Sequence, residues 1–180
     1  MPPSEVLFQG CRFHVVRQTQ VTADGKAHHR EVVRHPGSVV ILPLLDDGRV
    51  CLIRNYRVSV GKSLVELPAG TLDPGEDPAE CAARELIEET GYRSGTLDLL
   101  TVFYPSPGIL DEKMHLYVAS RLEAGPTALE PGEDIVPLKV TWDAALAMVR
   151  DGRIQDAKTL AGLLYYHTFF RQPERERDVD

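Results

Sequence analysis

Three glutamates, Glu85, Glu88 and Glu89, are spaced so that they could do chemistry together. In a helix, positions i, i+3 and i+4 share one face, so the three carboxylates would converge. Like charges at this spacing repel each other, and the helix dipole disfavours them further near a helix C-terminus. A hard divalent cation would relieve both effects, because Mg²⁺ and Mn²⁺ prefer carboxylate and water oxygens. A solvated acidic face is the alternative, and these residues alone leave both interpretations open.

The surrounding residues predict the helix that would position these carboxylates. Asp77 suits the N-cap, Pro78 suits the first helical position, and Gly91 can take the left-handed conformation that ends a helix. An apolar face between them is formed by Ala79, Ala83, Leu86 and Thr90. Two further charged residues, Glu76 and Arg84, are expected to brace the ligand carboxylates without contacting a metal themselves.

The stretch from Gly70 to Tyr92 resembles the Nudix box. That pattern is Gly, five residues, Glu, seven residues, and then Arg-Glu-hydrophobic-any-Glu-Glu-any-Gly-hydrophobic. Its specified positions are all met, by Gly70, Glu76, Arg84, Glu85, Leu86, Glu88, Glu89, Gly91 and Tyr92. The resemblance implies a Nudix hydrolase, which cleaves a nucleoside diphosphate linked to another moiety. It also implies Mg²⁺, or alternatively Mn²⁺, with more than one ion in each site.

The resemblance also implies roles for individual residues. The metal ligands would be the Ala69 carbonyl oxygen and the carboxylates of Glu85, Glu88 and Glu89, with Glu88 bound directly or through water and also a catalytic candidate. In similar proteins the general base is a glutamate on the loop before the penultimate strand, often in an acid-any-acid pair. Proline occupies the first place of that pair here, so Glu133 is the first choice for the base and Glu130 the second.

Residues outside the box indicate the substrate class. Pro107 lies fifteen positions beyond the last residue of the box, in a loop similar to the one that marks ADP-ribose pyrophosphatases. The implied reaction converts ADP-ribose and water to AMP and ribose 5-phosphate. By the same resemblance, Arg57 and Arg30 would hold phosphates. The ribose side would be lined by Ser106, Gly108 and Glu112.

Two other functions stay open at this point. One is a Nudix hydrolase that acts on another nucleotide sugar, a dinucleoside polyphosphate or an oxidised nucleotide. The other is a non-catalytic ligand sensor. Such sensors typically lack one or more acids of the box, whereas this chain has them all.

Hydrophobic patterning predicts an α+β protein. Strands are expected near 12–20, 28–34, 38–45, 50–54, 96–104, 113–120 and 135–141. Helices are expected in three places: the stretch between Asp77 and Gly91 that carries the box glutamates, 142–150, and 159–170. The resemblance implies the Nudix fold, a mixed β-sheet sandwiched between helices. An N-terminal antiparallel β-sheet annex (1–36) would form a homodimer, the hydrolase domain would span 37–171, and a frayed tail is expected at 172–180.

Composition limits the partners. Apolar residues make up 43% and charged residues 26% of the chain, which is ordinary for a globular protein. A formal charge of −7 argues against nucleic acid as the partner and leaves a small anionic molecule bound through metal. No membrane span or signal peptide is evident, so a cytoplasmic location is expected. The three cysteines lack ligand spacing and are expected to be reduced.

Overall fold

The computed structural model describes residues 4–129 and 132–171. Three β-sheets and three helices account for the described chain. The strands are β1 (Ser4–Gln9), β2 (His14–Val21), β3 (Ala27–Arg34), β4 (Ser38–Pro43), β5 (Arg49–Arg57), β6 (Lys62–Glu66), β7 (Ala69–Thr71), β8 (Tyr92–Phe103), β9 (Met114–Ala124) and β10 (Ile135–Thr141). The helices are α1 (Pro78–Thr90), α2 (Trp142–Arg150) and α3 (Ala157–Phe169). The predicted α+β class is confirmed.

The N-terminal sheet is antiparallel with the order β1-β2-β3. Strand β1 was not predicted, and it lengthens the expected two-stranded hairpin to three strands. The annex joins the rest of the molecule through the end of β3, where Val33 N–H donates to the Ile109 carbonyl at 2.8 Å. A second link is polar: Asp111 accepts from the Arg34 guanidinium at 2.7 Å and from the His35 N–H at 2.9 Å.

Strand β4 is the centre of the core that follows the annex. It pairs in parallel with β9 and antiparallel with β7, in a mixed sheet ordered β7-β4-β9-β8. Its side chains alternate between two clusters because successive residues of a strand point to opposite faces. Val39 and Ile41 pack with Leu86 of α1, whereas Val40 and Leu42 pack in the cluster that holds residues of α2 and α3. The predicted sandwich of sheet between helices is confirmed.

Helix α1 has the predicted ends. Asp77 is the N-cap and accepts a hydrogen bond from the Ala79 N–H at 2.8 Å, and Pro78 is the first helical residue. Gly91 takes the left-handed conformation with φ of 74°, and its N–H donates to the Ile87 carbonyl. Within the described ranges, no helix is long and apolar enough to cross a membrane.

Strand lengths depart from the sequence prediction at several places. The short β7 was not predicted, and β8 begins at Tyr92 rather than at Thr96. Three residues are too few to show an alternating pattern, although β7 contains Gly70, the first residue of the Nudix box. The predicted frayed tail at 172–180 lies outside the described residues.

Candidate active site

The glutamates of α1 open onto a cavity of ≈ 330 Å³, which we name the carboxylate cavity. Strand β7 and the loop after it form one wall, and α1 forms another. Five acids line it, namely Asp73, Glu85, Glu88, Glu89 and Glu133. Its lining also includes Cys11, Arg12, Pro36, Asn55, Arg57, Ala69, Gly70 and Arg84. The structure therefore brings all four predicted metal ligands and the first-choice base to one cavity.

Arg84 organises the acids of the box. Its guanidinium donates to Glu76 at 3.0 and 3.1 Å, to Glu85 at 2.7 Å and to Glu88 at 3.0 Å. Glu76 also accepts from the Asp73 N–H at 2.9 Å, which fixes the loop before the helix. The Arg84 bonds lower the pKa of Glu76 to about 2, so Glu76 stays ionised and holds Arg84 in place.

Gly70 makes room for the Glu85 carboxylate. A Cβ built at Gly70 would lie far closer than 3.0 Å to Glu85, a separation that real Cβ atoms essentially never show. Burial raises the pKa of Glu85, and Arg84 opposes part of that rise. The box glycine therefore lets a partly buried carboxylate lie directly against β7, next to the Ala69 residue that is predicted to supply a carbonyl ligand.

Glu89 is the most deeply buried acid of the cavity, with 3% of its surface exposed. One oxygen accepts from the Ala69 N–H at 2.9 Å. Burial raises the pKa of Glu89 to about 8, and the Ala69 hydrogen bond opposes part of that shift. A buried carboxyl of this kind is suited to a divalent cation, since binding exchanges its proton for the metal charge.

Arg57 is held at the rim of the cavity by a buried partner. Its Nε and one Nη donate to the two oxygens of Glu66, at 2.9 and 2.6 Å. Lys158 also donates to Glu66, and it pairs with Asp156 at 2.9 Å. Burial raises the pKa of Glu66, but the bonds to Arg57 and Lys158 outweigh it, so the net pKa is lowered. Two of the five N–H donors of Arg57 are therefore engaged.

A second cavity, of ≈ 320 Å³, adjoins the first along β7. We name it the ribose-side cavity because Glu112, which was predicted to line the ribose side, is on its wall. Arg57, Ala69 and Gly70 line both cavities. Ser38 lines the second cavity, and among the described residues its hydroxyl is the buried side-chain oxygen without a hydrogen-bond partner.

The structure does not bring every predicted substrate residue to these cavities. Arg30 is exposed on β3, lines neither cavity, and donates to the adjacent His29 carbonyl at 3.4 Å. Ser106 lines neither cavity, and its carbonyl closes a turn by accepting from the Ile109 and Leu110 N–H groups. Gly108 lies at a third cleft of ≈ 190 Å³, beside Val32 and Tyr104. Glu130 lies outside the described residues.

Several residues of the site were missed from the sequence. Glu66 and Lys158, which hold Arg57, are separated by 92 residues, and no local pattern links them. Asn55 was passed over although it follows Arg54 on β5, because a single amide on a strand gives no signal. Arg12 was read only as part of a strand, whereas it precedes β2 and lines the carboxylate cavity.

The donor set fits a hard divalent cation. Within residues 4–129 and 132–171, no three His, Cys, Asp or Glu side chains already converge at metal-ligand geometry. The contacts explain this: Glu85 and Glu88 point to Arg84, and Glu89 points to the Ala69 N–H. The predicted ligands in the carboxylate cavity, which are the Ala69 carbonyl and the carboxylates of Glu85, Glu88 and Glu89, are nevertheless all oxygen donors. Oxygen is the donor type that Mg²⁺ and Mn²⁺ prefer.

Comparison with known proteins identifies the family. A model of the NUDIX domain matches residues 34–163. The ADP-ribose pyrophosphatase of Bacillus subtilis (strain 168) is 37% identical over 163 residues, which cover 89% of this chain and 88% of the relative. This chain therefore belongs to the NUDIX domain family, and the predicted family of Nudix hydrolases is confirmed.

Other relatives carry different names. The methanol dehydrogenase activator of Bacillus methanolicus is 40% identical over 144 residues, covering 79% of this chain and 78% of the relative. The GDP-mannose pyrophosphatase of Citrobacter koseri (strain ATCC BAA-895 / CDC 4225-83 / SGSC4696) is 36% identical over 162 residues, covering 83% of each. A crystal structure described as an ADP compounds hydrolase has a TM-score of 0.81 and 23% identity, covering 92% of this chain and 90% of that one, and so supports the fold.

Proposed function

We propose that this protein hydrolyses the diphosphate of ADP-ribose, giving AMP and ribose 5-phosphate. The observation that carries the proposal is the complete Nudix box on α1, with its acids gathered at one cavity. The ADP-ribose pyrophosphatase name of a relative that covers 89% of this chain supports the substrate, as does the position of Pro107.

The proposed metal ligands are the Ala69 carbonyl and the carboxylates of Glu85, Glu88 and Glu89, and we propose Mg²⁺ in more than one position. Bound divalent cations would neutralise the diphosphate oxygens and lower the pKa of a bound water. Arg84 contributes by orienting Glu85 and Glu88, because it contacts both at hydrogen-bonding distance.

The remaining roles belong to groups around the two cavities. Arg57 would bind a phosphate oxygen with its free N–H donors, since Glu66 fixes the plane of the guanidinium. Glu133 would accept the proton of the attacking water, and it lines the same cavity as the metal ligands. Glu112 would accept hydrogen bonds from hydroxyls on the ribose side. Glu130 is the second choice for the base, and we also propose substrate roles for Arg30, Ser106 and Gly108, although these three line neither cavity.

A hydrolysis panel with Mg²⁺ tests this function. The substrates are ADP-ribose, GDP-mannose, a dinucleoside polyphosphate and an oxidised nucleotide, with product identity followed by chromatography. We expect the highest kcat/KM with ADP-ribose and equal amounts of AMP and ribose 5-phosphate. A higher kcat/KM with another substrate contradicts the proposed specificity, and no turnover of any substrate contradicts the enzyme assignment.

GDP-mannose hydrolysis is the second candidate. It is favoured by the relative of that name, which matches 83% of this chain at 36% identity. Both substrates present a sugar beyond the diphosphate, so Glu112 in the ribose-side cavity would accept hydrogen bonds from the sugar hydroxyls of either. Production of GMP and mannose 1-phosphate faster than AMP would establish the second candidate.

We propose in addition that two copies associate through the annex and that the protein works in the cytoplasm. Support for the homodimer comes from apolar side chains that β1 leaves exposed, including Val6 at 57% and Phe8 at 55%. Apolar patches of this kind mark interaction surfaces. Sedimentation equilibrium would show a dimer, and a monomer with full turnover would contradict the role of the annex in assembly.

A further inference from the structure

The carboxylate cavity is short of available positive charge for an anionic substrate. Five acids line it against three arginines, Arg12, Arg57 and Arg84. Arg84 is bound to Glu76, Glu85 and Glu88, and Arg57 is bound to Glu66 through two donors. Metal ions neutralise the acids when bound, but Arg84 donates to acids through all three of its nitrogens, so Arg57 with its three remaining N–H donors is the one of these two arginines that can bind a phosphate.

Arg12 differs from the other two arginines. Its side chain is exposed to the cavity, and in the described part of the chain it makes no hydrogen bond or ion pair. An arginine carries five N–H donors in a planar fork that matches phosphate oxygens in pairs. All five donors of Arg12 are therefore available to a ligand that enters the cavity.

The turn between β1 and β2 fixes where Arg12 lies. The Gly10 N–H donates to the Phe13 carbonyl at 3.0 Å, and the Phe8 and Phe13 rings contact each other with centroids 6.1 Å apart. A Cβ at Gly10 would come within 2.8 Å of the Phe13 carbonyl oxygen, so the tight turn favours glycine. These contacts place Arg12 on a closed turn rather than on a free segment.

The annex that carries this turn is attached beside the cavity. Asp111 holds Arg34 and the His35 N–H, and Pro36, at the end of the same connection, lines the carboxylate cavity together with Arg12. The attachment keeps the β1–β2 turn at the carboxylate cavity, where Cys11 and Arg12 are part of the lining. The annex thus adds a cation to its own chain's site, whatever its part in assembly.

We propose that Arg12 is a phosphate-binding residue for the nucleoside diphosphate substrate, contributed by the annex of the same chain. The inference rests on the proposed function, since it identifies a further substrate contact in that site. Arg12 would bind a phosphate oxygen in the cavity that Arg57 also lines. It would act in binding, through the paired N–H donors of its planar fork, rather than in proton transfer.

Binding of ADP in the presence of Mg²⁺ tests this inference without requiring turnover. The variants are Arg12→Gln, which removes the charge, and Arg12→Lys, which keeps the charge but removes the fork. Arg17→Gln is the matched control, because Arg17 lies on the same sheet, pairs with Glu5 and Glu31, and is not part of the cavity. Calorimetry gives Kd at low and high salt, and kinetics with ADP-ribose give KM and kcat.

For a charge-assisted hydrogen bond at a partly solvated site we expect Arg12→Gln to weaken ADP binding by about tenfold. KM for ADP-ribose should rise by a similar factor while kcat changes little, and the difference from the wild type should shrink at high salt. Arg12→Lys should recover part of the loss, and Arg17→Gln should bind like the wild type. A Kd for Arg12→Gln within twofold of the wild type overturns the inference.

The outcomes separate this inference from the proposed function. If ADP binding weakens in Arg12→Gln but the wild type does not cleave ADP-ribose, the role of Arg12 stands and the proposed substrate fails. If the wild type cleaves ADP-ribose and Arg12→Gln has unchanged Kd and KM, the proposed function stands and the role of Arg12 fails.

Discussion

Replacing Gly70 by alanine tests how the Nudix box positions Glu85, the first of its proposed metal ligands. The added methyl group would occupy space that the Glu85 carboxylate fills, at a separation well below 3.0 Å. The backbone at Gly70 does not have a positive φ, so alanine is compatible with β7 itself. The substitution therefore acts on the carboxylate and leaves the strand intact.

The size of the effect follows from the distance that Glu85 must move. To reach ordinary contact with the new methyl group, its carboxylate must retreat by roughly 1 Å or more, and a misplacement of that size can lower turnover by about 10²-fold. We expect kcat/KM for ADP-ribose to fall by about 10²-fold and Mn²⁺ affinity to fall by about tenfold. The melting temperature should change by no more than about 3 °C, because the end of a flexible side chain gives way.

The assay combines Mn²⁺ titration with thermal denaturation, in the wild-type background and in Glu85→Gln. If Gly70→Ala acts through the Glu85 carboxylate, its effect on Mn²⁺ affinity should vanish in the Glu85→Gln background, because contacting sites are not additive. An equal loss of affinity in both backgrounds would refute the reasoning. So would turnover of Gly70→Ala within threefold of the wild type.

Three further predictions follow from single contacts. Ser38→Ala should raise the free energy of unfolding by about 1 kcal/mol in urea titrations, because the lost hydroxyl is buried without a partner; a lowered stability would contradict that reading. Asp111→Ala should expose the annex to limited proteolysis, because it removes the acceptor for Arg34 and for a backbone N–H; an unchanged cleavage rate would contradict the anchoring role. Glu66→Gln should destabilise the protein by about 3 kcal/mol at pH 7, because it removes the buried negative charge that Arg57 and Lys158 share and leaves Lys158 paired with Asp156 alone. Since the pKa of Glu66 is lowered from 4.5 in the folded state, its stabilisation is present above pH 4.5 and is lost as pH falls through the folded value. The gap between Glu66→Gln and the wild type should therefore narrow in acid, and a constant gap would contradict the pairing.

The local elements of this protein were predictable from sequence. Helix α1 has the predicted N-cap at Asp77 and the predicted end at Gly91. Both ends were predictable because each capping signal lies within a few residues of the helix end that it determines. Once that helix is predicted, the spacing of Glu85, Glu88 and Glu89 alone places their carboxylates on one face. Family membership also followed from the box, and the NUDIX match to residues 34–163 confirms it.

Contacts between distant segments were not predictable. The three-residue β7 is too short to show a pattern, and the pair Glu66–Lys158 depends on how α3 packs against the end of β6. Arg12 reaches the cavity only because the annex docks beside it, which no local pattern encodes. Arg30 was predicted from the resemblance to hold a phosphate, but within one chain it lines neither the carboxylate cavity nor the ribose-side cavity.

Glu89→Gln offers the most direct test of the central claim that the box acids support metal-dependent hydrolysis. Glutamine preserves the volume and can still accept from the Ala69 N–H. The metal-free pKa of Glu89 is raised to about 8, so near neutral pH the substitution removes little charge from the metal-free protein. Its stability should therefore be nearly unchanged.

The measurement is turnover of ADP-ribose with saturating Mg²⁺, beside thermal denaturation of the same metal-free preparations. We predict that Glu89→Gln lowers kcat by at least about 10²-fold and leaves the melting temperature within about 3 °C of the wild type. Turnover within threefold of the wild type, together with a lowered melting temperature, would show that this carboxylate is structural and would contradict the account.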